Sequence, residues 1–409
     1  MEEIERLAKE LQLENDKKNA ADPSIQTSLA VVEEFLKNHP VMCYGGTAIN
    51  NLLPKEDRFY DPETDIPDYD FFSRTPQEHA TIVANQLAEK GIKNIEVKPG
   101  IHLGTFKVFA NYEGVADITF LEPAIFDKLW NAGIVKEGIH YVTPNFLRMS
   151  MYLELSRPRG DVSRWTKVYG RLELLNKHYP ATCPREKTGM HNPISDEKKA
   201  EITKLLKNEP VVLLAVTAAE IHLKSAWTTP IALLAEKSVI DRLIQGSEVK
   251  VDEGTEILPP RTTVLDENGK SVVRFYETTA FHSFHTTRDG IRVASIPTIL
   301  QFFFAYIYTD ADETNIANIL CIAQKLIDMA NHKPKRRFAL LTPKECLGQQ
   351  ETLIDMKKHK AELYEELSKN KASPEFLQYF YTYDPRDTLK QRQTKRRELQ
   401  KTRKQRTTA

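Results

Sequence analysis

Three aspartates on two predicted strands constrain this chain more than any other feature. Asp68 and Asp70 lie in the segment PDYDFF at 67–72, and Asp117 lies in the segment VADITF at 115–120. Residues two apart on a strand point to the same face of a sheet, and Asp117 can reach that face from a neighbouring strand. Clustered carboxylates repel one another unless cations lie between them. Because all the ligands are oxygens, the cluster favours Mg²⁺ or Mn²⁺ over zinc.

A glycine pair precedes the aspartates, in the segment VMCYGGTA at 41–48. Gly45 and Gly46 follow a predicted strand, and Thr47 begins a predicted short helix. Glycine allows a ligand to approach the backbone closely, and the first turn of a helix offers N–H groups to an anion. Taken singly, an Asp-x-Asp pair or a Gly-Gly pair most often marks a turn. The order of the two pairs among apolar strands favours a functional site. Two further aspartates nearby, Asp61 and Asp65, are interpreted as loop residues.

Three segments carry a resemblance to a known family. They are YGGTAIN at 44–50, PDYDFFS at 67–73 and ADITF at 116–120, with weaker support from 160–165 and 169–172. Together they resemble the DNA polymerase beta type nucleotidyltransferase superfamily, over about residues 25–125. Within it, the chain is most similar to the poly(A) polymerase catalytic subunits of large nucleocytoplasmic DNA viruses, a resemblance that extends to about residue 180 and more loosely to 340. The chain departs from the superfamily pattern in an acidic insertion at 55–65.

The resemblance implies template-independent addition of AMP from ATP to the 3′ end of single-stranded RNA, with two Mg²⁺ or Mn²⁺ ions. Asp68 and Asp70 are expected to bind both ions, and Asp117 is expected to bind the ion nearer the attacking hydroxyl. The residues expected to bind the nucleotide are Gly45, Gly46, Thr47, Asn50, Arg164, Lys167 and Arg171.

Two alternatives stay open at this point. One keeps the nucleotidyl transfer but changes the acceptor to a tRNA, a small molecule or a protein hydroxyl. The other is an inactive RNA-binding scaffold subunit, against which three retained carboxylates argue. The expected partners are RNA and ATP, together with a second copy of the chain or a viral processivity subunit.

Basic residues indicate further contacts with phosphate. Arg164, Lys167 and Arg171 follow the spacing i, i+3, i+7 on a predicted helix, which places them on one face. This face is interpreted as a site for a triphosphate or an RNA backbone, with a solvated helix face as the alternative. RNA contacts are also expected in two other basic segments, at Lys335, Arg336 and Arg337 and at Lys395, Arg396 and Arg397.

The overall charge balance hides a basic C-terminal tail. Lys and Arg together number 57, as do Asp and Glu. Residues 386–409 contain ten basic and two acidic residues, so the tail carries +8 and the remainder about −8. This asymmetry predicts a tail that binds a polyanion. A solvated disordered terminus and a localisation signal are the alternatives.

The pattern of predicted elements indicates an α/β (α+β) fold. Predicted helices and strands alternate at 24–38, 41–44, 47–53, 69–72, 95–97, 105–110 and 115–121, and a helix opens at Pro76 with Thr75 as its N-cap. A second region has predicted strands at 211–216, 272–276 and 291–293 and helices at 297–308, 313–331 and 343–371. The resemblance implies that this second region is an inactive nucleotidyltransferase-like domain. The predicted boundaries are 1–135 for the catalytic domain, 136–190 for a helical segment and linker, 191–345 for the second α/β domain, 346–385 for a C-terminal helical segment and 386–409 for the tail.

The cysteines, histidines and apolar segments indicate which metal sites, disulfides and cellular location to expect. The four cysteines are scattered, without a Cys-x-x-Cys pair, so neither zinc nor a disulfide framework is predicted. His282 and His285 are three apart on an extended stretch, on opposite faces, which disfavours a shared metal. Without a signal-peptide pattern or a membrane-length apolar run, the chain is expected to be soluble and intracellular, in the host cytoplasm and also in the virion, with no membrane partner.

Overall fold

The computed structural model divides the chain into two compact units. The first comprises residues 1–126, 133–142 and the segment from 357 onward, and the second comprises 127–132 and 143–356. The structure describes residues 1–157, 160–184, 195–225, 227, 230–278, 284–309, 313–332, 345–348 and 352–383. The basic segments at 335–337 and 386–409 and the residue His282 therefore lie outside the described residues.

The first unit is a seven-stranded mixed sheet with helices. Its strands follow the order β3-β4-β5-β2-β1-β7-β6. In chain order the elements are α1 (Glu2–Ala20), α2 (Pro23–Asn38), β1 (Met42–Cys43), α3 (Gly45–Leu52), β2 (Tyr69–Ser73), α4 (Pro76–Glu89), β3 (Ile95–Pro99), β4 (Thr105–Ala110), β5 (Glu113–Phe120), β6 (Ile134–Lys136) and β7 (Ile139–Tyr141). Between β5 and β6 lies α5 (Pro123–Ala132), whose residues from Asp127 onward belong to the second unit.

The second unit contains an eight-stranded mixed sheet. Its strands follow the order β10-β11-β12-β9-β8-β14-β13-β15. The elements are α6 (Pro144–Leu155), α7 (Trp165–His178), α8 (Asp196–Asn208), β8 (Val212–Leu214), α9 (Ala215–Leu223), β9 (Ile231–Ala235), α10 (Lys237–Leu243), β10 (Val249–Asp252), β11 (Arg261–Leu265), β12 (Ser271–Glu277), β13 (Phe284–Arg288), β14 (Ile291–Ala294), α11 (Ile296–Tyr306), α12 (Glu313–His332) and β15 (Glu345–Cys346).

The last described segment contains two helices, α13 (Leu353–Leu367) and α14 (Pro374–Phe380). From Lys357 onward this segment belongs to the first unit. Lys360 donates hydrogen bonds to the backbone oxygens of Pro99, at 3.1 Å, and of Gly100. The Tyr383 hydroxyl donates to Asn85 Oδ1 at 2.9 Å. The first unit is therefore built from segments that precede and follow the second unit in the chain.

The two sheets share one topology. Read from the first strand to the seventh, successive pairs are antiparallel, antiparallel, parallel, antiparallel, parallel and antiparallel in both units. The second sheet has one strand more than the first, β15, paired with β13 at its edge. The first strand-to-helix turn is also repeated, because α3 and α9 begin at Gly45 and Ala215, both with positive φ. The second unit is therefore a structural repeat of the first, and the predicted mixed α/β fold is confirmed.

Local sequence signals explain where several elements begin. Asp22 caps α2 by accepting hydrogen bonds from the N–H groups of Ser24 and Ile25, with Pro23 at the first helical position. Thr143 likewise caps α6 through the N–H of Phe146. Gly91, at φ +83°, lies just beyond the end of α4 as predicted. By contrast, Thr75 occupies the N-cap position of α4 without a side-chain capping bond.

Several expectations were wrong in detail. The glycine pair lies inside the first turn of α3 rather than before a helix at Thr47, and 211–216 is a strand only to Leu214, where α9 follows. The predicted helix over 343–371 is limited to 353–367, because 345–346 forms a strand. Finally, Cys183 and Cys321 form a disulfide across 138 residues, against the prediction of none. Pairing over such a distance depends on the tertiary fold, which spacing does not reveal.

None of the described helices has both the length and the apolar composition needed to cross a bilayer.

Candidate active site

The carboxylates of Asp68, Asp70 and Asp117 come together in the first unit. The parallel strands β2 and β5 place Asp70 directly beside Asp117. Asp68 immediately precedes β2, two residues from Asp70 and so on the same face. One carboxylate oxygen from each residue lies within 4.8 Å of the other two. The described part of the chain contains no other group of three or more His, Cys, Asp or Glu residues that meets this criterion.

The backbone of Asp68 is held by a neighbouring buried side chain. Thr47 is only 3% exposed, and its hydroxyl donates a hydrogen bond to the Asp68 carbonyl oxygen at 2.8 Å. On the following residue, the Tyr69 hydroxyl donates to Glu33 Oε1 at 2.6 Å. These bonds fix the start of β2 and so the direction of the Asp68 side chain. The contact assigns Thr47 a positioning role, and the predicted contact of its hydroxyl with phosphate stays a prediction.

Gly45 is required where it stands because Asp70 lies against it. Its φ is +72°, and a Cβ added there would lie 2.3 Å from Asp70 Oδ2. Real Cβ atoms do not approach oxygens so closely, and the left-handed conformation further disfavours other residues. The absence of a side chain therefore lets the first turn of α3 pack directly on the carboxylate cluster.

Lys107 is a member of the site that the sequence did not reveal. It lies opposite Asp117 on the antiparallel strands β4 and β5, and its Nζ donates a hydrogen bond to Asp117 Oδ2. The lysine side chain is 39% exposed and that of Asp117 is 16% exposed. One signal was available: Lys107 interrupts an otherwise uncharged strand, TFKVFA at 105–110.

The carboxylates of the cluster influence one another electrostatically. Partial desolvation is the main cause that raises the pKa of Asp68 to about 6, and the negative charge of Asp117 raises it further. The positive charge of Lys107 lowers this pKa. A group of three carboxylates and one lysine has an excess of two negative charges. Added cations would offset this excess, which is the electrostatic signature of a metal site.

The wall beside the cluster is aromatic and hydroxyl-bearing. The rings of Tyr44 and Phe72 stack with centroids 3.9 Å apart. The Tyr44 hydroxyl and Thr119 Oγ1 lie 2.9 Å apart, and Thr119 Oγ1 is 3.1 Å from Thr105 Oγ1. This hydrogen-bonded row joins Tyr44, the residue before the glycine pair, to β5 and β4.

Asn50 organises the acidic insertion. It is 6% exposed, and its Oδ1 accepts hydrogen bonds from the N–H groups of Phe59 and Tyr60 at 2.9 and 3.0 Å. Further along the insertion, Asp65 Oδ2 accepts from the N–H of Asp61 at 2.8 Å. The amide oxygen of Asn50 is thus used within the fold, and its predicted nucleotide contact stays a prediction. Asp61 and Asp65 lie in the loop, as expected.

The predicted basic stripe lies in the second unit, on α7 and the 3-10 turn before it. Arg164 is in that turn, and its Nε lies 3.2 Å from Glu154 Oε1. Lys167 and Arg171 lie within α7. Their proposed contact with a nucleotide or RNA stays a prediction. His285 is buried on β13, with 2% exposure.

The comparisons with known proteins bear on this site. Residues 30–161, which contain all three aspartates, match the family model described as poly(A) polymerase catalytic subunit. The match covers about a third of the chain and shows that this region is similar to that family. The resemblance inferred from the motifs is therefore confirmed.

Two viral proteins share this region. A candidate poly(A) polymerase catalytic subunit of African swine fever virus (isolate Tick/Malawi/Lil 20-1/1983) is 32% identical over 183 residues, which are 43% of this chain and 38% of the viral protein. A similarly described protein of Acanthamoeba polyphaga mimivirus is 30% identical over 166 residues, 39% of this chain and 28% of that protein. The matches thus span less than half of these relatives.

A solved structure shares the fold of nearly the whole chain. The Megavirus polyadenylate synthase superposes with a TM-score of 0.78, covering 98% of this chain and 89% of that one. The identity is 18%, so this likeness establishes the fold of both units and not the chemistry.

Proposed function

We propose that this protein is a template-independent poly(A) polymerase that transfers AMP from ATP to the 3′ end of RNA. The observation that carries the proposal is the meeting of three carboxylates, with oxygens within 4.8 Å, beside a glycine turn that begins a helix. The family match of residues 30–161 supports the reaction class. The polymer acceptor and the choice of adenine rest on the family resemblance.

The donor set fits divalent metal ions. All three ligands are carboxylate oxygens, the type preferred by Mg²⁺ and Mn²⁺. Asp68 and Asp70 would hold both ions, and Asp117 would hold the one nearer the attacking hydroxyl. When bound, two such ions supply activation of the 3′-hydroxyl and neutralisation of the leaving pyrophosphate.

The residues of the chain contribute positioning. The N–H groups of Gly45 and Gly46 lie in the first turn of α3, where unpaired backbone donors and the helix dipole favour a phosphate group. Because Gly45 packs directly on Asp70, a triphosphate at this turn would lie next to the carboxylate cluster. In-line attack on the α-phosphate needs this proximity between the nucleotide and the ligands of the ions.

The proposal is tested by nucleotide addition with the full chain. A short single-stranded RNA is incubated with each of the four ribonucleoside triphosphates separately, in Mg²⁺ or Mn²⁺, and products are resolved by length. We expect extension with ATP and none when divalent ions are chelated. Failure to extend RNA, together with labelling of a tRNA or of the protein itself, would replace the RNA 3′ end with another acceptor.

A matched pair of variants tests the site separately. Asp70→Asn should lower the rate of addition by about 10³-fold or more, equivalent to roughly 4 kcal/mol of transition-state stabilisation. Asp65→Asn changes a nearby carboxylate of the acidic loop and should leave the rate within about twofold. Wild-type activity in Asp70→Asn would exclude the cluster as the active site.

A further inference from the structure

The second unit keeps the topology of the first but not its carboxylates. Strand register relates the two units position by position, starting from the helix-initiating residues Gly45 and Ala215. On this basis Asp70 corresponds to Ala232, and Asp117 corresponds to Arg274. The position that bears an acid in the first unit therefore bears a permanent cation in the second.

Two further cations lie on the same face of this sheet. Thr263 on β11 lies directly opposite Arg274 on one side and Lys250 on the other. Arg261 lies two residues before Thr263, and so points to the same face. Directly opposite residues in an antiparallel pair have Cβ atoms about 4.5–5.5 Å apart, so the three long side chains surround one small residue. We call Lys250, Arg261 and Arg274 the basic face.

One carboxylate balances part of this charge. Asp252 Oδ2 accepts hydrogen bonds from Arg261 Nε at 2.9 Å and Nη2 at 2.6 Å. The other oxygen of Asp252 lies 3.4 Å from Lys250 Nζ. Three cations against one anion leave an excess of two positive charges, and Asp252 makes no contact of this kind with Arg274.

Arg274 has donors that the described residues do not use. Its Nε donates to Ser271 Oγ at 3.2 Å. Its two terminal amino groups make no hydrogen bond to any residue in the described part of the chain. The Arg274 side chain is half-buried, and its neighbour Lys250 is 67% exposed on an edge strand. The basic face is therefore open to solvent at its Lys250 edge, whereas Thr263 at its centre is buried.

We propose that the basic face binds a phosphate group. A guanidinium with unused terminal amino groups presents the paired donors that phosphate oxygens accept, and Lys250 supplies a second charge beside it. The phosphate comes either from an RNA backbone or from the polyphosphate of a free nucleotide. The corresponding face of the first unit carries carboxylates suited to cations, whereas this one carries cations suited to an anion.

The test measures binding without catalysis. A fluorescently labelled oligoadenylate of 15 nucleotides is titrated with the full chain in EDTA, so that no divalent ion occupies the carboxylate cluster. Arg274→Ala and Lys250→Ala are compared with the wild type at several salt concentrations. Arg242→Ala is the matched control, because Arg242 is an arginine of the same unit that pairs with Glu209 on another surface.

We expect the affinity for RNA to fall about three- to tenfold in both variants and not in the control. Each lost phosphate contact should reduce the slope of log affinity against log salt by about 0.7. Competition with inorganic triphosphate identifies the source of the phosphate. If triphosphate displaces the RNA from the wild type but not from Arg274→Ala, the basic face is a polyphosphate site. If triphosphate displaces the RNA from neither protein, the basic face binds the RNA backbone.

Unchanged affinity and unchanged salt slope in both variants would overturn the proposal. Lys250 is exposed on an edge strand, so Lys250→Ala keeps the test decisive even if Arg274→Ala destabilises the fold. The binding assay contains no metal and measures no turnover. Its result is therefore independent of whether the protein adds nucleotides to RNA as proposed above.

Discussion

Lys107 and Asp117 face each other across two antiparallel strands, and the lysine ammonium donates a hydrogen bond to the aspartate. Lys107 therefore provides a counter-charge within the cluster before any metal binds. It also fixes one oxygen of Asp117. A divalent ion that binds Asp117 must share this carboxylate with the lysine.

Replacing Lys107 with Met should therefore make the stability of the protein depend more strongly on divalent ions. The metal-free variant should lose about 1 kcal/mol of stability, since the pair is only partly buried. Mg²⁺ should then raise its melting temperature more than it raises that of the wild type. Lys98→Met, at the position opposite Lys107 on β3, is the control. A smaller Mg²⁺ effect in Lys107→Met than in the wild type would contradict this interpretation.

Gly45→Ala should cost activity as well as stability. Both the left-handed φ and the 2.3 Å approach to Asp70 Oδ2 oppose the new methyl group, so Asp70 must move. We expect a loss of at least 1–2 kcal/mol in unfolding free energy and at least a tenfold loss in the rate of addition. Gly91→Ala is a matched control, with φ +83° and nothing within 4 Å of the added Cβ. It should lose stability alone.

A double-mutant cycle isolates the steric part. In an Asp70→Ala background, Gly45→Ala should cost about as much as Gly91→Ala, because the opposing carboxylate is gone. The second unit provides a natural precedent, with Ala215 in the left-handed conformation at a position equivalent to Gly45 and Ala232 equivalent to Asp70. Additive losses in unfolding free energy would show that the two residues do not clash.

The raised pKa of Asp68 sets the direction of a pH effect on the metal-free protein. The folded-state pKa of about 6 exceeds the ordinary value of 3.8, so folding favours the protonated form. This contribution to stability is present at low pH and is lost as the pH rises from about 4 through 6. Asp68→Asn lacks the titrating group. Its melting temperature relative to that of the wild type should therefore be higher at pH 8 than at pH 5, measured after removal of divalent ions. A constant difference would show that Asp68 titrates normally.

Variants of Thr47 distinguish a positioning role from a phosphate contact. Thr47→Val removes the hydroxyl that donates to the Asp68 carbonyl oxygen, and should lower stability by about 1 kcal/mol and reduce kcat. Thr47→Ser keeps the hydroxyl and should restore kcat. If the hydroxyl instead binds the triphosphate, Thr47→Val would raise the KM for ATP with little change in stability.

The sequence predicted the three clustered aspartates because the signals that mark their strands are local. The two-residue period of a strand places Asp68 and Asp70 together, and the apolar pattern around Asp117 marks a second strand. The register that sets Asp117 beside Asp70 and opposite Lys107 is a long-range property. No spacing within one segment encodes it, so Lys107 was not predicted.

The parts that were missed share a dependence on tertiary contacts. The disulfide joins cysteines 138 residues apart. Helix α1 buries only Ala20, so no buried stripe distinguishes it from solvated chain. The repeat of the first fold in the second unit is invisible to sequence periodicity, because topology and not residue identity is conserved between the two: a glycine, two aspartates and a lysine are replaced by Ala215, Ala232, Arg274 and Thr263.

The return of the chain to the first unit has a consequence for its synthesis. The residues around Lys360 and Tyr383 complete the surface of the first unit, yet more than two hundred residues of the second unit separate them from β7. On the ribosome, the second unit is fully emerged before this last contact can form. The first unit therefore stays incompletely covered until residues 357–383 have been synthesised, and a nascent chain that stalls after residue 356 lacks this segment.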